Sequence, residues 1–214
     1  MATTPNLLLT RRFLLASALA GAATPVWARP GRVVTILGDS ITAGLGLPAA
    51  DALPARLQAA LTTAGAPARV RGAGVSGDTT AAGLARADFS VQADTDLCIV
   101  ALGGNDLLQG LDVKETRANL DRIIKRLKAR KIGVLLAGLN APTAIGAGYA
   151  HDFDALFPAL ARGNGVPLYP NLLAGVGQTP GLNQRDGIHP NAAGVKIIAA
   201  RLAPVVAKAL KSRA

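Results

Sequence analysis

The chain alternates short apolar runs with longer segments in which apolar residues recur at the spacing of an α-helix. The apolar runs are rich in Val, Ile and Leu, which is typical of buried parallel strands. They predict five strands, at residues 33–37, 69–75, 97–102, 133–137 and 166–169. The other segments predict helices at 51–64, 81–87, 115–131, 151–162 and 191–210. Because strands and helices alternate with short links, we predict an α/β fold in which helices cover both faces of one parallel sheet.

Composition indicates a single domain and argues against nucleic acid as a partner. The 214 residues suffice for one full core, and we find no repeat, linker or second domain. The formal net charge is +10, but the basic residues are dispersed except at 122–131, where they suit the end of a solvated helix. Aromatic residues make up 3% of the chain, too few for base stacking. Cys98 is the only cysteine, so no internal disulfide can form, and its apolar neighbours predict a buried side chain.

The N-terminus has the three parts of a secretory signal peptide. Arg11 and Arg12 precede a short apolar run at 13–23, and small residues follow up to Ala28. We therefore predict a signal peptide at 1–28, with the arginine pair favouring twin-arginine export. The mature domain, 29–214, is then periplasmic or secreted, and we expect no stable membrane insertion after cleavage. The alternative is an uncleaved anchor helix, for which the apolar run is short.

The first candidate for chemistry is Ser40, in the sequence Gly38-Asp39-Ser40 directly after the first predicted strand. Gly permits a sharp turn, and the Asp and Ser side chains can bind nearby backbone N–H groups. The serine hydroxyl is then placed beyond the carboxyl end of a strand, where open α/β sheets bind ligands. Taken alone, the tripeptide is more often an ordinary turn, so the prediction depends on partners elsewhere in the chain.

Asp186 and His189 provide an acid and a base three residues apart. With Gly187 between them, the carboxylate can reach one ring nitrogen while the other nitrogen faces a serine, as in a Ser-His-Asp triad. The alternative is a turn with a surface histidine. The only other histidine, His151, begins a predicted helix beside Asp152 and has no comparable setting.

Candidate donors to an oxyanion follow two neighbouring strands. Gly77 can present its backbone N–H closely, and Asn105 can present its side-chain amide, in addition to the backbone N–H of Ser40. Ser76 is a rival nucleophile, because its surroundings nearly match a Gly-x-Ser-x-Gly elbow, with Asp78 in place of the last glycine.

These motifs resemble the four ordered blocks of the SGNH, or GDSL, hydrolases, over residues from about 33 to the C-terminal helix. Within that family the chain looks most like the single-domain periplasmic arylesterases and acyl-CoA thioesterases/lysophospholipases. The resemblance implies a flavodoxin-like three-layer α/β/α sandwich with about five parallel strands. It also implies Ser40 as the nucleophile, Asp186 and His189 as the rest of the triad, and an oxyanion hole of Ser40, Gly77 and Asn105. The implied activity is a serine esterase without a cofactor, acting on carboxylic esters and thioesters as small-molecule substrates.

Two loops depart from the family and leave the substrate open. Residues 45–48 and 141–146 are small and apolar, and we expect both to shape the acyl pocket. A carbohydrate O-deacetylase on the same scaffold is one alternative, although aromatic residues for sugar stacking are few. A non-hydrolytic periplasmic binder of anionic lipid is another. No phosphate loop, dinucleotide turn or zinc-ligand spacing is found, so we expect no cofactor and no metal, and we expect a monomer.

Overall fold

The computed structural model of the protein describes Met1 and residues 31–212, and Gly31–Ala214 is one compact unit. The predicted signal peptide therefore lies, apart from Met1, outside the described residues. Within the described part, no helix is long and apolar enough to cross a membrane.

Five parallel strands form one sheet in the order β2-β1-β3-β4-β5. They are β1 (Val33–Gly38), β2 (Arg69–Gly74), β3 (Leu97–Ala101), β4 (Gly133–Ala137) and β5 (Leu168–Tyr169). Every residue of β1, β3 and β4 is buried, because helices cover both faces of the sheet. The predicted α/β/α architecture is confirmed.

The helices described in residues 31–212 form two groups. They are α1 (Ser40–Ala43), α2 (Leu53–Thr63), α3 (Thr80–Ser90), α4 (Gly104–Leu108), α5 (Val113–Ala129), α6 (Ala147–Asn164) and α7 (Ala192–Lys211), with 3-10 turns at Ala49–Asp51 and Thr143–Ile145. Helix α2 packs against α7, and α5 packs against both α3 and α6. Aliphatic side chains form most of the core between these groups and the sheet.

The register of the sheet brings three strand ends to one edge. Gly38 at the end of β1 is level with Gly74 of β2 on one side and Ala101 of β3 on the other. The segments that follow these strands therefore begin side by side at the carboxyl edge of the sheet.

The structure corrects two predicted boundaries and adds one short helix. Helix α6 begins at Ala147 instead of 151, directly after Gly146, whose φ of 109° lies outside the helical range. Strand β5 has only two residues, because it is an edge strand preceded by Pro167, which has no N–H to donate. The short helix α4, which Gly103 starts with a φ of 117° and which contains Asn105, was not predicted.

Cys98 is fully buried in β3, as predicted. Burial in an apolar environment disfavours the thiolate and raises the pKa of this thiol to about 12. Cys98 is therefore not a nucleophile at neutral pH.

Candidate active site

Ser40 is held at the end of β1 by a tight turn. Asp39 is the N-cap of α1, and its Oδ1 accepts a hydrogen bond from the backbone N–H of Ile41 at 3.0 Å. A Cβ on Gly38 would collide with the side chain of Thr42, so only glycine fits before this turn. Ser40 is thus the first residue of a helix that starts directly at the carboxyl edge of the sheet.

The structure brings Ser40 and His189 together across 149 residues of sequence: the serine Oγ lies 2.8 Å from the histidine Nε2. On the other side of the ring, Nδ1 lies 2.6 Å from Oδ2 of Asp186. With the proton on Nδ1, that nitrogen donates to the carboxylate and Nε2 accepts from the serine hydroxyl.

The segment around Asp186 folds so that one carboxylate serves two purposes. Its Oδ1 accepts backbone N–H groups from Ile188 at 2.9 Å and from His189 at 3.0 Å, while Oδ2 is left for the imidazole. Gly187 has a φ of 70°, the left-handed conformation that favours glycine. The Asp-Gly-x-His spacing therefore orients the histidine locally, and the meeting with Ser40 is the only long-range step.

The two carboxylates nearest the serine have opposite shifts. The hydrogen bond from His189, followed by the two backbone N–H groups, lowers the pKa of Asp186 to about 2, so this group is ionised at any pH near neutrality. Burial raises the pKa of Asp39 to about 6, against smaller opposing effects of the Ile41 N–H and of His189. Asp39 touches the site but is far less stable as an anion than Asp186.

The proposed oxyanion donors differ in whether they line the cleft beside Ser40. Asn105 lines the same cleft as Ser40 and His189, and its Nδ2 donates to the backbone oxygen of Asp78 at 2.9 Å. Gly77 lies in the exposed turn after β2 with a φ of 86°. It is not one of the described residues that line the cleft. The contribution of the Gly77 and Ser40 N–H groups stays a prediction.

The cleft beside Ser40 has a volume of about 390 Å³ and two walls of different character. One wall is mainly apolar and comes from the segments after β3 and β4: Leu107, Leu108, Leu139, Asn140, Ala141 and Pro142. The other comes from the segment after β5: Asn171, Leu173, Ala174, Gly175, Gly177 and Gln178.

The two loops expected to shape the acyl pocket lie in different places, and one wall of the cleft was missed. The 45–48 loop is absent from the described lining of this cleft, but Leu45 and Leu47 line a second, smaller pocket that Ser40 and His189 also border. There the backbone oxygen of Leu45 accepts a hydrogen bond from Gln184 at 2.8 Å, and the role of this loop in binding the acyl group stays a prediction. The predicted 141–146 loop does contribute Ala141 and Pro142. The 171–178 wall follows a parallel strand, and that position was the one signal that could have found it.

The comparisons with known proteins identify the family of this chain. Residues 36–197 match the family described as GDSL-like Lipase/Acylhydrolase. The chain belongs to this family. The predicted resemblance to the GDSL hydrolases is therefore confirmed, and so is the prediction that the chain is an ester-hydrolysing enzyme.

Three relatives illustrate the similarity. Esterase TesA of Pseudomonas aeruginosa is 37% identical over 160 residues, 74% of this chain and 80% of that protein. The Escherichia coli protein called thioesterase 1/protease 1/lysophospholipase L1 is 38% identical over 157 residues, 73% of this chain and 74% of that protein. The crystal structure of AlinE4, an SGNH-hydrolase family esterase, is 46% identical with a TM-score of 0.71, and the match covers 84% of this chain and 97% of AlinE4.

The rival site residues lie away from the cleft of this family member. Ser76 is exposed in the turn after β2, and His151 is exposed on α6. Neither is among the described residues that line the cleft. In the described part of the chain, no group of three His, Cys, Asp or Glu side chains is arranged to hold a metal ion.

The raised pKa of Asp39 predicts a gain in stability when the carboxylate is replaced. Well below pH 4, Asp39 is neutral in the folded and the unfolded chain. As pH rises from about 4 to about 6, the unfolded chain ionises this group while the folded chain resists ionising it in a buried site, so stability is lost over that range. Asp39→Asn keeps an oxygen for the Ile41 N–H. We expect its advantage in unfolding free energy over the wild type to grow by about 2 kcal/mol between pH 4 and pH 8.

Urea unfolding at the two pH values measures this difference. The control is Asp112→Asn at the exposed N-cap of α5, where the carboxylate accepts a hydrogen bond from the backbone N–H of Lys114 at 2.8 Å. This variant measures how replacing a capping aspartate by asparagine changes stability without burial. An advantage for Asp39→Asn that is equal at pH 4 and pH 8 would contradict the prediction.

Proposed function

We propose that this family member cleaves carboxylic esters and thioesters with apolar acyl groups, through a covalent acyl-enzyme on Ser40. The observation that carries the proposal is the 2.8 Å between Ser40 Oγ and His189 Nε2, in a histidine whose other nitrogen is held by Asp186. A serine hydroxyl is a weak nucleophile alone and needs a base in this position. The ionised Asp186 favours the tautomer in which Nε2 can act as that base.

In the acylation step, Ser40 Oγ attacks the carbonyl carbon while its proton passes to Nε2 of His189. The carbonyl π electrons move onto oxygen, and the imidazolium is stabilised by Asp186. When the tetrahedral intermediate collapses, the bond to the alcohol or thiol breaks and His189 protonates the leaving group. A water molecule then repeats the sequence on the acyl-enzyme, releasing the acid and restoring Ser40.

The negative charge of the intermediate needs donors that are already in place. An amide group has two N–H bonds, and Asn105 uses one of them on the backbone oxygen of Asp78. The second N–H is left to donate elsewhere, and Asn105 lines the cleft beside Ser40, which supports Asn105 as one donor. The backbone N–H groups of Gly77 and Ser40 complete the proposed oxyanion hole.

The substrate class rests on the walls of the cleft and on the names of the relatives. The leucines and Pro142 of one wall suit an acyl chain, and the cleft has room for more than an acetyl group. An esterase and a thioesterase are among the relatives, which supports both oxygen and sulfur leaving groups. We further propose that the enzyme is exported to the periplasm or beyond, because of the arginine pair and short apolar run before Ala28, and that it acts as a monomer without cofactor or metal.

A hydrolysis series tests the substrate class. Nitrophenyl esters from acetyl to palmitoyl, with matched thioesters, are expected to show kcat/KM rising by up to about fourfold for each added methylene until the cleft is filled. Faster release of acetate from acetylated xylan than from any nitrophenyl ester would favour the O-deacetylase. Salt-sensitive binding to anionic vesicles without labelling of Ser40 by a fluorophosphonate would favour the non-hydrolytic lipid binder.

A further inference from the structure

Arg86, in the middle of α3, makes four side-chain hydrogen bonds at the carboxyl edge of the sheet. Its Nη2 donates to the backbone oxygen of Gly38 at 2.8 Å, and its Nη1 donates to that of Ala73 at 2.9 Å. Nη1 also donates to Oγ of Ser90 at 3.1 Å, and Nε donates to Oδ2 of Asp78 at 2.6 Å. One guanidinium thus joins the last residue of β1, the end of β2 and the turn that follows β2.

Two of the partners of Arg86, Gly38 and Asp78, lie within two residues of the proposed active-site residues. Gly38 lies two residues before the nucleophile Ser40, and Asp78 lies directly after Gly77. The backbone oxygen of Asp78 is also the acceptor for Nδ2 of Asn105. The residue that pairs with Arg86 is therefore adjacent in sequence to Gly77 and hydrogen-bonded to Asn105, the two donors that lie outside α1.

We infer that Arg86 is a positioning residue for the oxyanion hole and acts through Asp78, an inference that rests on the function proposed above. By holding the Asp78 carboxylate, Arg86 fixes the position of the Asp78 backbone, which follows Gly77 directly. The peptide between Asp78 and Thr79 carries the oxygen to which Asn105 donates, so the orientation of the Asn105 amide depends on the same contact. Without Arg86, both donors lose their common support.

Burial distinguishes the ion pair between Arg86 and Asp78 from the surface ion pair that Arg71 forms on β2. Asp78 is 8% exposed as a residue, so its carboxylate cannot rely on water and requires a charged partner. Arg71 on β2 forms a bidentate pair with Asp94, at 2.5 Å in each bond, but that carboxylate is 52% exposed and contacts no part of the site. The two arginine side chains are almost equally exposed, 20% for Arg86 and 23% for Arg71, which makes Arg71 a matched control.

A second attachment limits the size of the effect. The carboxylate of Asp106 accepts from the backbone N–H of Thr80 at 2.8 Å and from its hydroxyl at 2.5 Å. The turn after β2 is therefore still tied to α4 when Arg86 is removed. We expect the donors to be displaced and not lost, and a displacement of about 1 Å can cost up to about 100-fold in rate.

The test compares Arg86→Met with Arg71→Met and with Asn105→Ala. Arg86→Met is expected to lower kcat about 10- to 100-fold with KM within about twofold, because a contact needed mainly in the transition state is impaired. Arg71→Met should leave kcat unchanged, and Arg86→Lys should recover part of the loss, since Lys can reach Asp78 but cannot make the other contacts. Thermal unfolding of each variant identifies an assay temperature at which all of the variants are folded.

A double-mutant cycle separates positioning from a general loss of structure. If Arg86 acts through the hole, adding Arg86→Met to Asn105→Ala should lower kcat by much less than Arg86→Met does alone. If Arg86→Met does not fold, Asp78→Asn replaces it, because that change removes the charge from the pair while keeping the backbone oxygen that Asn105 binds.

The outcomes distinguish this inference from the proposed function. A large loss with Asn105→Ala, together with full kcat in both Arg86→Met and Asp78→Asn, overturns the role of Arg86 and leaves the hole in place. Effects of Arg86→Met and Asn105→Ala that simply multiply would also overturn it. An Asn105→Ala variant with unchanged kcat overturns the proposed hole itself, and the role of Arg86 with it.

Discussion

Ser40→Ala is expected to lower kcat on any ester by about a million-fold while the protein remains folded. The variant removes the one hydroxyl that His189 can deprotonate, so the acyl-enzyme cannot form. The loss of a single buried oxygen leaves the turn intact, because the cap of α1 is made by Asp39 and not by Ser40. Residual hydrolysis reflects the remaining oxyanion donors acting on water.

Steady-state hydrolysis of a nitrophenyl ester, with circular dichroism as a check on folding, measures this change. The matched control is Ser76→Ala, in the elbow-like sequence after β2, which is expected to keep wild-type activity because its side chain lies outside the cleft. A fluorophosphonate should label the wild type and Ser76→Ala but not Ser40→Ala. Inactivation by Ser76→Ala with activity retained in Ser40→Ala would move the nucleophile to the other turn.

Asp186→Asn is expected to lower kcat by about 10,000-fold. The amide is nearly the same size as the carboxylate, and its oxygen can keep the N–H groups of Ile188 and His189. Its NH₂ group then faces Nδ1 of His189, where a carboxylate oxygen now lies at 2.6 Å. Two donors cannot share that contact, so the ring is driven to carry its proton on Nε2, where it can no longer accept a proton from Ser40.

The control for this change is Asp152→Asn, since Asp152 also neighbours a histidine but is exposed on α6. It should retain wild-type kcat, and both variants should show wild-type unfolding transitions. A second readout is pH: because the pKa of Asp186 is held near 2, protonation of this carboxyl should not contribute to any loss of wild-type activity above about pH 4. If Asp186→Asn stayed within tenfold of the wild type, the carboxylate would not be the partner on which the base depends.

The sequence predicted most where chemistry and spacing are local. Asp186 and His189 are three residues apart, and the bonds that orient the imidazole are formed within that short segment. The turn at Ser40 is equally local, since glycine, a capping aspartate and a serine follow one another. The aliphatic strands were predictable because a strand covered on both faces requires a continuous apolar run.

The differences from the prediction lie where distant contacts decide. The 45–48 loop was expected beside the acyl group, and its contact with Gln184 places Leu45 and Leu47 at a second pocket bordered by Ser40 and His189, outside the lining of the main cleft. The 171–178 wall has no motif, because a wall needs only shape and apolar area and many sequences provide those. The start of α6 was predicted late because its first turn is rich in Gly and Ala, and its apolar stripe becomes clear only from Phe153.

By itself, the sequence determined the α/β class of this protein, the order of its strands along the chain and the residues able to act as nucleophile, base and acid. Those features depend on residue type and on neighbours a few positions away. Only the tertiary structure decided which strands lie side by side, that Ser40 and His189 meet, that Arg86 joins two strand ends to the turn beside the site, and that Asp39 has a pKa near 6. The physical reason is that burial and long-range hydrogen bonds exist only once the sheet has assembled, and no pattern along the chain records how much water each polar group will lose.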